Sequence, residues 1–530
     1  MGKPVLILIM IIIAGLSQAQ SYKTQLDKDC DGFPQVQVKS IAGTCLGLVA
    51  DANLKDAETN ETFRFPRKIV ELEPQRFLIT DMGGWDPPNR GALWELDLRT
   101  KPAKLKKRVS KLVLPHDLEW GPDGELYVGE LGRIVRYSKM DLLLDAKIIR
   151  SEVVVSGVPT NEQERNLHPL VNFAFERSAQ MKWDLYVNVG APSDACTEDA
   201  PRKCSVENKN ALIRKYSYMS GLNRWNPEFE IWAKGLRNSM GLLSLENGFL
   251  LQVENSRDFR DASKPHDELN VIQKNQHYGW PYCYDKNQVS PEWQGSLLCG
   301  NAFTQPFALL APHSAPLDII QYKSEKIKAL QGKLLISYHG YRPTGSRVIS
   351  ASLNSEGRPQ INSDGAIESL DVISGWSRLD GVRPQGAPVG ILAASDGSLF
   401  IVEDKNKSIL RLSVSDNVNE DLEAEQPNRD TEKVAAAVTR LKSLPQSMAA
   451  YEWINKQVIQ VSCQGCHSEL QGRNLEAFEF MILKDWIKPG QPDQLLMKRL
   501  RGQDGLQKMP LGSSLSEEYI NYIESFVKSL

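Results

Sequence analysis

From about residue 66 to 413 the chain repeats one theme: an apolar, β-rich run, a turn built on Gly, Asp or Asn, and a second β-rich run with Arg or Trp near its end. Six units can be read, beginning at Arg67, Leu114, Leu167, Leu236, Ala315 and Ala387. Pro122-Asp123-Gly124 and Ser395-Asp396-Gly397 are tight hairpin turns between such strands. Units of about 50 to 75 residues, each with three or four short strands, predict a six-bladed β-propeller, whose ring leaves only short protected edges.

The 530 residues exceed one ordinary core. The segment 20–65 is expected as an N-terminal extension and 66–414 as the propeller. Residues 415–433 are acidic and almost free of large apolar side chains, as in a solvated linker. Beyond them, 434–530 turns helical, with segments near 430–443, 447–460, 493–501 and 516–529. The last places Tyr519, Ile520, Ile523, Phe526 and Val527 on one face. The fold class is therefore mainly β, a six-bladed propeller followed by a small all-α domain. A net charge of −3 with no dense basic run excludes a field able to hold nucleic acid.

Residues 4–16 form an apolar run after Lys3, and Ser17-Gln18-Ala19 is a small-x-small site, so residues 1–19 read as a signal peptide. The run is short for a membrane span; an uncleaved anchor is the alternative. Export to the periplasm, with no integral span after cleavage, is expected. Outside the motif below, the cysteines fall as sequence neighbours: Cys30 with Cys45, Cys196 with Cys204, Cys283 with Cys299. Three short-loop disulfides are expected, one of the roughly 15 connectivities that six cysteines allow.

Cys463-Gln-Gly-Cys466-His467 is the C-x-x-C-H sequence of covalent haem attachment: two thiols add to the porphyrin vinyls and the adjacent imidazole reaches the iron. Met509, followed by Pro510 and a last helix, is the candidate sixth ligand. The tail resembles class I cytochromes c, which implies haem c, filled axial positions and electron transfer. No second Cys/His pair stands nearby to complete a zinc site.

Such a haem needs an electron source, and the propeller is the obvious supplier. It contains no G-x-G-x-x-G between strand and helix and no Cys/His tract, which leaves a non-covalent organic cofactor at the channel mouth. His116, His168, His313 and His339 stand where innermost strands or their feeding loops begin or end, converging on the axis; Arg237-Asn238 takes the same place in blade four.

Leu236-Arg237-Asn238 with Gly241, Glu254-Asn255-Ser256-Arg257-Asp258, Asp267-Glu268-Leu269-Asn270 leading to Tyr278-Gly279-Trp280-Pro281, His313-Ser314-Ala315-Pro316, His339-Gly340 and Asp396-Gly397-Ser398 run in one order. In these the propeller resembles the soluble glucose and sorbosone dehydrogenases, which bind pyrroloquinoline quinone (PQQ) with Ca²⁺. The resemblance spans roughly residues 110–413 and implies roles. His168 would be the general base taking a sugar hydroxyl proton. Arg237 would polarise the quinone carbonyl, with Asn238 beside it. The carbonyls of Ser256 and Arg257 would bind Ca²⁺. His339, Arg342 and Arg383 would contact the cofactor. The sequence departs from the family at Leu167, where glucose-oxidising members carry Asp, at Ala387, where sorbosone-type members carry Arg, and at Ser256, where Gly is usual. After His339-Gly340 comes Tyr-Arg-Pro instead of Ser-Trp-Asn-Arg.

The expected function is an exported oxidoreductase that oxidises a sugar or related alcohol at PQQ and passes electrons through haem c to an external acceptor, such as a soluble cytochrome or a respiratory-chain component. The alternative is a cofactor-less propeller serving as a binding module beside a cytochrome. A haem sensor or assembly protein would need an open or labile axial site, which ligation by Met509 would contradict.

Overall fold

A computed structural model describes residues 24–530 apart from 37, 86–87, 161–167, 178–181, 197–208, 260, 295–298, 301, 341, 377–385, 416–430, 464–474, 484–485, 493, 504–508 and 510–514. The apolar leader, Leu167, Cys204, Arg383, Cys466 and His467 lie outside the described residues.

Alternating β-rich runs between hairpins make six antiparallel sheets. Blade one is Pro66–Glu73, Arg76–Asp81, Gly91–Asp97 and Lys104–Leu112; blade two is Leu118–Trp120, Leu126–Glu130, Arg133–Tyr137 and Ser151–Ser156. Blade three comprises Phe173–Arg177, Trp183–Val189, Leu212–Met219 and Glu230–Lys234, and blade four Ser239–Ser244, Leu250–Glu254, His266–Ile272 and Ala308–Pro312. Blade five is Pro316–Gln321, Leu334–Tyr338, Arg347–Ala351 and Ser369–Ser374; blade six contributes Pro388–Ala393, Leu399–Glu403 and Ser408–Val414.

Blade six is completed from the other end of the chain. Thr44–Ala50 pairs antiparallel with Ser408–Val414, and Phe33–Val36 and Thr24–Cys30 extend that sheet outward. Lys39–Ser40 pairs with Ser369–Ser374 of blade five. Residues 24–50, expected as an extension, thus fasten the ring shut, and the Cys30–Cys45 disulfide ties their strands together. Closing a propeller with strands distant in sequence removes the exposed edge of its last blade. Cys283–Cys299 is the second described disulfide, and Cys196 is also disulfide-bonded.

Side chains at the inner strands join blade to blade. Asp117 Oδ2 accepts from the Phe173 amide at 2.8 Å, Asp318 Oδ2 from Ile391 at 2.7 Å, and Asn188 Nδ2 donates to the Ser239 carbonyl at 2.8 Å. Phe65, Leu114, Leu170, Met240, Leu317 and Val389, one from the start of each blade, pack into one apolar cluster with Met82 and Leu131. A little further along the strands, buried Lys68 pairs with Asp318 and stands 3.8 Å from Asp117, so one cation ties blades one, two and five. This filling leaves the loops at the strand starts as the place where functional side chains meet.

The tail carries helices Thr431–Ser443, Pro445–Ile454, Glu476–Leu483, Leu495–Arg501 and Glu517–Ser529, with a π-helical stretch Asn455–Cys463. Its core is drawn wholly from residues 437–530. The last helix buries Ile520, Ile523, Phe526 and Val527, and Ser516 caps it by accepting from the Tyr519 amide at 3.3 Å. Glu476–Leu483 was not expected from the sequence pattern. Among the described residues no helix is long and apolar enough to cross a membrane.

Candidate active site at the propeller mouth

His168 precedes the innermost strand of blade three and is buried. Its Nδ1 lies 2.6 Å from the Ala191 carbonyl, an atom that can only accept, so Nδ1 carries the proton and Nε2 keeps the lone pair. Burial, reinforced by Arg237, pushes its pKa down to about 3, so the ring is neutral at ordinary pH. The approach of the two segments requires Gly190: a Cβ there would lie 2.2 Å from the His168 carbonyl oxygen. A backbone carbonyl thus orients the ring.

Arg237 begins blade four and is 3% exposed. Its amide donates to Glu254 Oε1 at 2.6 Å, Nη1 to the Asn255 carbonyl at 2.9 Å, and Nη2 to Asp194 Oδ1 at 2.8 Å and Asp258 Oδ2 at 3.3 Å. Asn238, half-buried, offers its carbonyl to the Asn255 amide at 3.1 Å. Arg257 grips Glu292 through two nitrogens at 2.5 and 2.8 Å and approaches Asp194 Oδ2 at 3.5 Å. Burial lifts Asp194, but Arg237, the Asp258 amide and Arg257 outweigh it and hold the carboxyl below its usual range. Burial pushes Glu254 up to about 7 and Asp267 up to about 6. Ser256 lies outside the left-handed region, so this turn does not demand glycine at that position.

The other arc of the mouth is built differently. His339 Nε2 lies 3.0 and 3.1 Å from the two Asp404 oxygens, Arg67 Nη1 donates to Asp404 at 2.5 Å, and Arg67 Nε donates to His116 Nδ1 at 2.9 Å. Burial and Arg67 keep His116 far below the ordinary imidazole range. Because Arg67 can only donate, His116 Nδ1 must accept, and its proton sits on Nε2.

The structure therefore brings His168, Arg237, Asn238, Ser256 and Arg257 onto one arc and His339 onto the other. Arg342 donates to the Phe259 and Asp261 carbonyls at 2.9 and 3.2 Å, gripping the loop after the Ser256–Arg257 turn. His313 Nε2 holds the same loop through the Asp261 and Lys264 carbonyls at 2.7 and 2.9 Å. Asp194, Arg67 and Asp404 were missed in the sequence. Asp194 sits in an irregular segment beside Cys196 with no strand pattern, and Arg67 lies before the stretch that carries the family resemblance. In the helical domain Cys463 is half-buried against the core, and the Met509 amide donates to the Arg499 carbonyl at 2.9 Å.

A Borreliella burgdorferi protein described as uncharacterized is 24% identical over 286 residues, covering 49% of this chain and 73% of that protein. A Trichoderma reesei structure from carbohydrate-active enzymes family AA12 superposes with a TM-score of 0.55 at 18% identity, over 72% of this chain and 98% of that one. The PQQ domain of a Coprinopsis cinerea pyranose dehydrogenase, in its holo form, gives 0.54 at 18% identity, over 73% and 99%. At such identities the superpositions establish the shared propeller fold. Residues 62–415, from the start of blade one to the last strand that blade six draws from this stretch, match the TrAA12-like family, and the chain belongs to it.

Proposed function

We propose that the chain is an exported quinohaemoprotein oxidoreductase whose propeller oxidises a pyranose or related alcohol at PQQ held with Ca²⁺, its electrons leaving through haem c to an external acceptor such as a soluble cytochrome or a respiratory-chain component. One observation carries this reading: a neutral His168 with its lone pair on Nε2 stands beside a fixed Arg237 at the mouth. The holo Coprinopsis cinerea pyranose dehydrogenase domain, which shares the propeller, supports the choice of cofactor and substrate class. The disulfides favour an oxidising compartment, here the periplasm.

The donor chemistry fits these groups. The Nε–H groups of Arg237 and Arg257 are buried without an acceptor among the described residues, which suits an acceptor-rich quinone carrying carboxylates. Among the described residues Asn255 Oδ1 is buried without a donor and the Ser256 carbonyl receives no hydrogen bond, which suits a hard cation. Bound PQQ would supply an electrophilic quinone carbonyl to accept hydride from the carbinol carbon, and Ca²⁺ on the Ser256 and Arg257 carbonyls would act as a Lewis acid.

His168 Nε2 accepts the hydroxyl proton, while its Nδ1–H stays on Ala191 and keeps the ring in place. Arg237, tethered at its amide and at Nη1, sets a fixed positive charge against the oxygen that becomes negative. Asp194 keeps Arg237 and Arg257 at a set spacing. Asn238, His339 and Arg383 would complete the cofactor contacts, and Arg342 would act through the Phe259 and Asp261 carbonyls it grips. Cys463 and Cys466 would attach the haem, and His467 and Met509 would hold its iron, which would supply one-electron transfer.

Anaerobic stopped-flow spectroscopy of protein reconstituted with PQQ and Ca²⁺ tests this. Reduction of the haem bands by one class of sugar, slowed about 10²- to 10⁴-fold in His168→Ala, is expected. Haem that dithionite reduces but no sugar or alcohol reduces, in protein that retains no PQQ, overturns the reading in favour of a binding module.

A further inference from the structure

A trans peptide points its N–H and C=O in opposite directions, so partners on both fix the plane between them. The Asn255–Ser256 peptide is held in this way. Its C=O accepts from Arg237 Nη1 at 2.9 Å, and its N–H donates to Asp267 Oδ1 at 2.8 Å. The other oxygen of Asp267 accepts from Ser314 Oγ at 3.0 Å and from the Ala315 amide at 2.6 Å. Ala315 and His313 both take left-handed backbone conformations, φ 46° and 55°, which cost energy in residues with a side chain and need outside support. The same turn offers the Ser314 carbonyl to the Gly340 amide at 2.8 Å and the Ala315 carbonyl to the His339 amide at 3.1 Å. One carboxylate, 3% exposed, thus spans from the turn of blade four to the start of blade five.

Resting on the reading above, we infer that Asp267 is a positioning residue: by holding the Asn255–Ser256 peptide it aims the Arg237 guanidinium and presents the Ser256–Arg257 carbonyls to the cation. Asparagine in its place keeps one acceptor oxygen, which stays with the two donors Ser314 Oγ and the Ala315 amide, and turns an NH₂ toward the Ser256 amide. The peptide then loses the hold that opposes Arg237.

Two readouts on the full chain, purified without PQQ, test this. The first is Ca²⁺ affinity by equilibrium dialysis with ⁴⁵Ca: Asp267→Asn should bind roughly 10- to 100-fold more weakly, the usual effect of losing a group that orients a metal ligand. Asp81→Asn is the control. Asp81 is an equally buried carboxylate of blade one that holds the Arg64, Phe65 and Gly83 amides far from this turn, and its loss should leave Ca²⁺ affinity unchanged. The second readout is the crystal structure of Asp267→Asn without calcium, in which the Asn255 carbonyl should leave hydrogen-bonding reach of Arg237. Ca²⁺ binding equal to wild type, or an unmoved peptide and Arg237, overturns the inference. Wild-type protein that binds no Ca²⁺ defeats the cation reading instead and leaves the crystallographic arm to decide. Should Asp267→Asn not fold, Ser314→Ala decides by the same readouts, with a weakening of roughly two- to tenfold expected.

Discussion

Two arcs of one mouth use the same residue types to opposite ends. On the arc of blades three and four, His168 keeps its proton on Nδ1 and its lone pair on Nε2, beside an Arg whose carboxylate partners Asp194 and Asp258 are 30% and 84% exposed. On the arc of blades two, one, six and five, His116 holds its proton on Nε2, because Arg67 occupies Nδ1, and Arg67 and Asp404 are 5% and 3% exposed. Both imidazoles are neutral, and under the proposed function it is His168, with its lone pair on Nε2, that takes the substrate proton. Tautomer, not residue type, separates the proposed base from the strut.

That contrast can be broken by experiment. The largest expected effect is on the closed arc: Arg67→Met takes the guanidinium from buried Asp404, leaving His339 against it, and should cost about 3 to 5 kcal/mol in a urea titration. A comparable loss in Arg237→Met would erase the distinction between the arcs. Next, Gly190→Ala forces a Cβ into the His168 backbone and should cost about 1 to 3 kcal/mol, with sugar-driven haem reduction falling alongside; full activity would show that His168 tolerates displacement. The third prediction concerns pH. The folded pKa of His168 is about 3, below its unfolded value, so the unfolded chain takes up a proton that the folded chain refuses as pH falls below 6.5. Wild type should therefore lose stability relative to His168→Asn by roughly 1.4 kcal/mol per pH unit between pH 6 and 4, read from paired urea midpoints. Parallel curves would mean the ring is not held neutral. The smallest effect is at Asp258, whose exposure screens its pairing with Arg237; Asp258→Asn should shift stability by no more than about 0.5 kcal/mol.

The blades were legible because strand alternation and turns such as Ser395-Asp396-Gly397 are local. The last helix was legible for the same reason: the spacing of Ile520, Ile523 and Phe526 already marks its buried face. The closure of blade six was not, since nothing near Thr44–Ala50 reveals that its partner is Ser408–Val414. At the candidate site, the place of Arg237 was legible through motif order and that of His168 through its position at the start of an innermost strand. Asp194 was not, because its importance comes from meeting Arg237, Arg257 and the Asp258 amide across more than forty residues of sequence. Asp267 was visible within a motif but silent as to role, since its three donors come from two blades.

The sequence by itself determined the number of blades, the all-α character of the tail and the C-x-x-C-H motif, because periodicity, turn chemistry and ligand spacing act over a few residues. Only the tertiary structure decided which strand closes the ring, which carboxylates hold the mouth and which nitrogen of each buried imidazole carries its proton. Those depend on what the fold brings within about 3 Å, where hydrogen-bond direction and the loss of water set the chemistry.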